Sequence, residues 1–189
     1  MEEQKYENAI EKTFGIKDAI VVDTGDSDPE MSRLLLGDAC AAFLESSLKD
    51  NDIVCVMAGK TVHSLCERIE YFPRQNLIFV PAIGGWGHEG TDYHANSNVK
   101  ILGEKLKGKY YILNAPSIVA STEAKEVLMS EPDISSVLSF ARNSTKALIG
   151  IGQISSDATM VKTGIYSDSE IEAVKRAGAV ASICTWFID

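Results

Sequence analysis

With 189 residues, 45% of them hydrophobic and 24% charged, the chain can build one α/β domain with a sizeable core, and two full domains would be cramped. Its net charge of -9 argues against direct contact between this segment and a nucleic-acid backbone, because phosphate contacts need clustered Lys and Arg. Residues 1–8 are charged and no apolar run approaches a membrane span, so no signal peptide and no membrane partner are expected, and the cytoplasm is the expected compartment.

Taken in chain order, residues 2–14 carry Tyr6, Ile10 and Phe14 at a spacing of four, which predicts a surface helix ending at Gly15. Residues 19–22 are a short apolar run and predict a strand. Asp28 and Pro29 read as N-cap and first helical residue of a helix reaching about Leu48, with Leu34, Leu35, Phe43 and Leu44 inward. Residues 53–57 are continuously apolar, as in a strand buried on both faces of a parallel sheet. A tight loop over 58–61 and a helix to about Ile69 follow. Residues 77–81 predict the next strand, and residues 95–106 a helix with Val99, Leu102 and Leu106 on one face. A strand over 110–113, helices over 123–129 and 133–142, and a strand over 147–151 complete the alternation. Beyond Gly152 the pattern weakens to a helix over 168–178, with Ile171 and Val174 inward, and an apolar stretch over 179–189. That stretch raises the expectation that the single domain is incomplete at Asp189. The strand–helix alternation demands crossovers, hence a Rossmann-like parallel sheet with helices on both faces.

The four cysteines (Cys40, Cys55, Cys66 and Cys184) show no CxxC spacing and no histidine-rich partner segment, so small core residues in a reducing compartment are expected and no metal site.

In parallel sheets ligands bind beyond the carboxyl ends of the strands, which singles out three loops. In the first, Gly59 lets the backbone turn tightly. The amides of Lys60, Thr61 and Val62 would open a helix and face an anion, with Lys60 adding a charge and Thr61 a hydroxyl. Val54 holds the place of the earlier P-loop glycine, so a single phosphate fits and a nucleoside triphosphate does not. A tight turn with a solvated lysine is the plain alternative. In the second loop, Gly84, Gly85 and Gly87 are three glycines in four positions and suggest backbone wrapped around a ligand. Trp86 between them could stack on a sugar or cap the core. His88, His94 and Asn96 follow, and for the histidines hydrogen bonding or a surface role outweighs metal ligation. In the third, Ala115-Pro116 closes a strand, and Ser121 or Thr122 caps the next helix. Gly150 and Gly152 end the last strand of the sheet. No nucleophile elbow, Cys–His pair or acidic pair stands out, so no catalytic residue, metal or cofactor is assigned.

Together Gly59-Lys60-Thr61, Gly84-Gly85-Trp86-Gly87, Ala95-Asn96, Ala115-Pro116, Gly150-Ile151-Gly152 and the end segment 178–189 resemble the effector domain of SorC-type bacterial transcriptional regulators, nearest to their glycolytic-gene members. The resemblance covers nearly the whole chain. It implies a fold similar to sugar-phosphate isomerases and CoA transferases, a phosphorylated sugar as effector, and a homo-oligomer. It also implies that DNA is gripped through a helix-turn-helix domain not contained in these residues. The ligand set it implies is Gly59, Lys60, Thr61, Gly84, Gly85, Trp86, Gly87, His94, Asn96, Pro116 and Gly152. Ile83 stands where a glycolytic-type member would carry an arginine for a second phosphate, which argues against a bisphosphate ligand. In the family the domain continues past the position of Asp189. Two other readings stay open. One is an isomerase- or deacylase-like enzyme on the same fold, for which Glu89 and Asp92 are the carboxylates at hand. The other is a regulator fragment that only dimerises.

Overall fold

The computed structural model describes residues 2–86 and 90–189. Helix α1, Glu2–Phe14, buries no residue, as its sparse apolar stripe implies. Residues 19–22 are not a strand. Their backbone donors find carboxylates instead: Ala19 N–H bonds Glu11 Oε1 at 3.0 Å and Val21 N–H bonds Glu7 Oε1 at 2.9 Å. With those amides satisfied by α1, the run has no ladder to join. Helix α2, Pro29–Ser47, starts as read: the Asp28 side chain accepts from the amides of Glu30 and Met31. Ala41 and Leu44 are buried, but Phe43 and Cys40 are exposed, because the inward stripe of α2 is narrower than its apolar content.

Strand β1, Ile53–Val56, leads to α3, Lys60–Arg68; β2, Ile78–Pro81, leads through a 3-10 turn at Thr91–Tyr93 to α4, Ala95–Lys105, and β3, Lys109–Tyr110. Helices α5, Thr122–Ser130, and α6, Pro132–Arg142, precede β4, Lys146–Leu148. The four strands form one parallel sheet in the order β3-β2-β1-β4. This is the expected architecture, with each of its four strands shorter than expected. The run 110–113 pairs through Tyr110 and then by Tyr111 N–H to Phe79 O, and the run 147–151 leaves the sheet after Leu148, exposing Ile149 and Ile151.

Val54, Val56 and Phe79 point to one face, where Leu44, Leu65, Cys66, Val99, Leu102 and Leu106 of α2 to α4 close the main core. Side chains alternate across a strand, so Cys55 and Val80 point to the other face, against which α6 packs. Chain direction across the sheet reverses after β3, and right-handed crossovers then put α6 opposite α3 and α4. Tyr111 stacks on Phe140 of α6 at 4.7 Å.

A second sheet was not legible in the sequence. Strand β5, Gly152–Gln153, is followed by α7, Thr159–Lys162, and α8, Asp168–Arg176, the latter opened by a Ser167/Glu170 capping box. Strands β6, Ala181–Ile183, and β7, Trp186–Ile188, form an antiparallel hairpin, and β5 pairs with β6. The hairpin turns on Cys184 and Thr185, both at positive φ (49° and 67°), where a β-branched residue is strained. Ile154, Ala158, Met160 and Ile171 form the small core beneath it.

Candidate functional site

In the order β3-β2-β1-β4 the chain steps outward from β1 to β3 and then returns to set β4 on the other side of β1, so the sheet reverses direction between β1 and β4. Such a reversal opens a crevice at the carboxyl ends of the two strands. A cleft of about 290 Å³ lies there. Its floor is the end of β1 with the opening of α3, one wall is the chain from Gly150 to Gln153, and the other is α7 with Trp86.

Gly59 makes the turn from β1 into α3 at φ 133° and ψ 151°, a conformation essentially confined to glycine. Its amide bonds Tyr93 O at 2.9 Å and its carbonyl accepts from His63 at 2.9 Å. The next three amides, of Lys60, Thr61 and Val62, belong to the first helical turn and have no intrahelical acceptor. Lys60, Thr61 and Val62 line the cleft, at the positive end of the α3 dipole. The Lys60 ammonium rests 5.5 Å from the centroid of the Tyr93 ring.

Trp86 is 3% exposed, packs on Met57 and Ala58, and leaves its indole N–H without a hydrogen-bond partner among the described residues. Gly152 pairs with Ser182 across β5 and β6; a Cβ on Gly152 would sit 2.7 Å from the Ser182 hydroxyl oxygen. Three cations line the cleft, Arg33, Lys60 and Lys162, against one carboxylate among the described residues, Asp157, which Lys162 already pairs at 3.0 Å. In a chain of net charge -9 this is a local excess of positive charge.

Of the residues singled out in the sequence, the cleft brings together Gly59, Lys60, Thr61, Trp86 and Gly152. Gly84, Gly85 and Pro116 lie beside it in a seam that extends the β2–β3 pairing. Gly85 N–H bonds Ala115 O at 2.9 Å, and Ser117 N–H bonds Gly85 O at 3.0 Å. Packing thus explains Gly84: a Cβ there would lie 2.7 Å from the Pro116 carbonyl carbon. Asn96 has a structural task. Its amide donates to Leu113 O at 3.1 Å and accepts from Leu113 N–H at 3.0 Å, tying α4 to the strand-end loop. His94 precedes α4 outside the cleft, with Nε2 buried and unpartnered among the described residues. Asp92 is exposed and outside the cleft. Gly87, His88 and Glu89 lie outside the described residues.

Sequence reasoning missed Arg33, Lys162 and Ser182, and also a buried bridge behind the loop. Asn98, fully buried, donates to Met57 O at 3.0 Å, and its oxygen meets His63 Nδ1 at 3.0 Å. Arg33 lies on a helix rather than a strand-end loop, and Ser182 in a three-residue strand, so neither carried a local signal.

Residues 1–189 match the family model described as "Putative sugar-binding domain". The chain is 29% identical over 168 residues to the central glycolytic genes regulator of Bacillus subtilis, covering 88% of this chain and 48% of that protein. A DeoR family transcriptional regulator from Listeria monocytogenes superposes with a TM-score of 0.89 at 27% identity, over 100% of this chain and 74% of the other. The full-length sorbitol operon regulator SorC of Klebsiella pneumoniae shares the fold with a TM-score of 0.89 at 23% identity, over 100% and 62%. The chain spans about half the length of the curated relatives it matches.

Proposed function

The chain belongs to the sugar-binding domain family carried by SorC-type transcriptional regulators, and from that premise we propose that it senses a phosphorylated sugar in the cleft between β1 and β4. The observation that carries the reading is the charge of that cleft. Arg33, Lys60 and Lys162 face one carboxylate there, beside three unpaired amides at the start of α3. A phosphate monoester meets both features at once, since helix N-termini and cations each favour an anion. Gly59 allows the close approach, and Lys60 moves from the Tyr93 ring onto the phosphate. Trp86 and the backbone of Gly150 to Gln153 enclose the sugar.

The cleft is read as binding rather than catalytic. Its one carboxylate among the described residues, Asp157, is held by Lys162, and Asp92, one of the two carboxylates that the enzyme reading offers, stands outside. In this reading the sugar phosphate orders the α3 opening, the Trp86 loop and the β5–β7 sheet against one another. Transmission of that ordering to DNA, and a homo-oligomeric assembly, are part of the proposal for a longer regulator that carries such a domain.

A thermal-shift series with sugar phosphates and the matching free sugars tests this. A ligand at about a hundredfold excess over its Kd stabilises the folded state by about 2.7 kcal/mol. Stabilisation by a phosphosugar but not by its free sugar supports the reading. Equal shifts for both, or none across the series, overturn it.

A further inference from the structure

Helices α2 and α3 cross at unusually close range. A Cβ on Gly37 of α2 would lie 2.9 Å from the Ser64 carbonyl carbon and 3.0 Å from its Cβ, so only glycine lets the helices approach this far. Just beyond the crossing, Asp38 and Arg68 clasp the two helices at 2.5 and 3.1 Å. One helical turn before it on each helix stand Arg33 and Lys60.

These two residues line the cleft together, and they also line a second, neighbouring recess of about 270 Å³, the outer recess. They are the residues common to both, so they stand on the saddle between them. Arg33 has no hydrogen-bond or ion-pair partner among the described residues, and Lys60 has the Tyr93 ring. Glu30 and Glu67 line the outer recess, so its charges are balanced. The inner cleft has no such balance. Two like charges that line the same cleft repel each other, and an anion bound in it relieves that repulsion.

We propose that Arg33 is the specificity-determining residue of the cleft: with Lys60 it forms a two-pronged clamp that selects a dianionic group, a phosphate monoester, over a neutral sugar or a monoanionic sugar acid. The inference rests on the phosphosugar reading and adds to it a residue from outside the strand-end loops. A guanidinium offers two parallel donors to two phosphate oxygens, while Lys60 acts as a point charge and the α3 amides take the remaining oxygen. Gly37 is the positioning residue, since a side chain there would push Arg33 away from Lys60.

Calorimetric titration of inorganic phosphate into the chain, at several pH values spanning the second phosphate ionisation, tests the clamp. The variants are Arg33→Gln, Arg33→Lys and Lys60→Ala. Arg33 is half-exposed and unpartnered, so Arg33→Gln is expected to keep the parent melting temperature. The expected result is affinity that rises as phosphate becomes dianionic, at least a tenfold loss in Arg33→Gln with a flattened pH dependence, and partial recovery in Arg33→Lys. A purely structural arginine would leave the pH dependence unchanged. If Lys60→Ala weakens binding while Arg33→Gln stays within twofold of the parent, the clamp is overturned and the phosphate site stands. If the parent chain binds no phosphate at any pH, both fall together.

Discussion

Asp52, at the entry to β1, accepts a 2.7 Å hydrogen bond from the Thr145 hydroxyl, 93 residues away at the entry to β4. The same carboxylate accepts the Lys49 amide at 2.8 Å and faces the Lys146 ammonium at 3.6 Å. Thr145 N–H in turn bonds Ile53 O at 2.8 Å. The cluster ties together the starts of the two strands whose far ends form the cleft, so a residue at the opposite end of the sheet helps place the site.

Burial of Asp52 disfavours its charge, but the Thr145 and Lys49 hydrogen bonds and the Lys146 charge outweigh this and hold its pKa below the ordinary value near 3.8. A depressed folded pKa contributes stability that is present above the ordinary value and lost as pH falls through the folded one. Asp52→Asn should cost about 1–3 kcal/mol at neutral pH, with the gap to the parent closing in acid below about pH 3.8. Urea melts from pH 7 down to pH 3 measure that gap.

At alkaline pH the buried thiols contribute. Burial pushes Cys66 up to about 12, and burial with the neighbouring Cys184 pushes Cys55 up to about 11, from an ordinary 9.0. Their contribution is complete below pH 9 and is lost as pH rises through the folded values, because the unfolded chain ionises first. The parent should lose about 1.4 kcal/mol per pH unit for each thiol in that window. Cys66→Ala should start less stable and show a shallower decline. Denaturant melts between pH 8 and pH 10.5 compare the two slopes.

The glycines after β2 divide into two kinds. Gly84→Ala forces a Cβ against the Ala115 carbonyl and Pro116 and should cost about 1–3 kcal/mol, whereas a Cβ on Gly85 meets nothing within 4 Å and Gly85→Ala should stay within about 1 kcal/mol of the parent. Melting temperatures of the two variants, measured without ligand, distinguish a packing role from a binding one.

The same pair shows how far the sequence could be read. The cluster of glycines was visible, but whether a glycine makes room for a ligand or for the facing chain depends on Ala115 and Pro116, about thirty residues on. Asn96 is a similar case: a polar side chain after a glycine loop looks like a reader of hydroxyls, and only tertiary pairing shows it bonded at both ends to Leu113. The parallel sheet was legible because β1 and β2 are continuous apolar runs set between amphipathic helices. The β5–β7 sheet was not, because strands of two or three residues are too short for an alternation to appear. The run at 19–22 had the apolar content of a strand and lacked only a neighbour.

Gly59-Lys60-Thr61 was readable from local chemistry alone, and it supports the sharpest test of the site. Lys60→Ala should weaken a bound sugar phosphate by about 1.5–3 kcal/mol, the range for a charge-assisted contact, while leaving the melting temperature of the free chain nearly unchanged. Tyr93→Leu should act in the opposite direction. The ring holds the Lys60 ammonium at 5.5 Å, an attraction of about 0.5–1 kcal/mol at a partly exposed site, which the ligand must overcome. The bond from Gly59 N–H uses the Tyr93 backbone carbonyl and survives the substitution, so the α3 opening keeps its shape. Removing the ring should therefore tighten phosphosugar binding severalfold in calorimetry. A loss of affinity in Tyr93→Leu would mean instead that the ring presents Lys60 to the phosphate rather than competing for it.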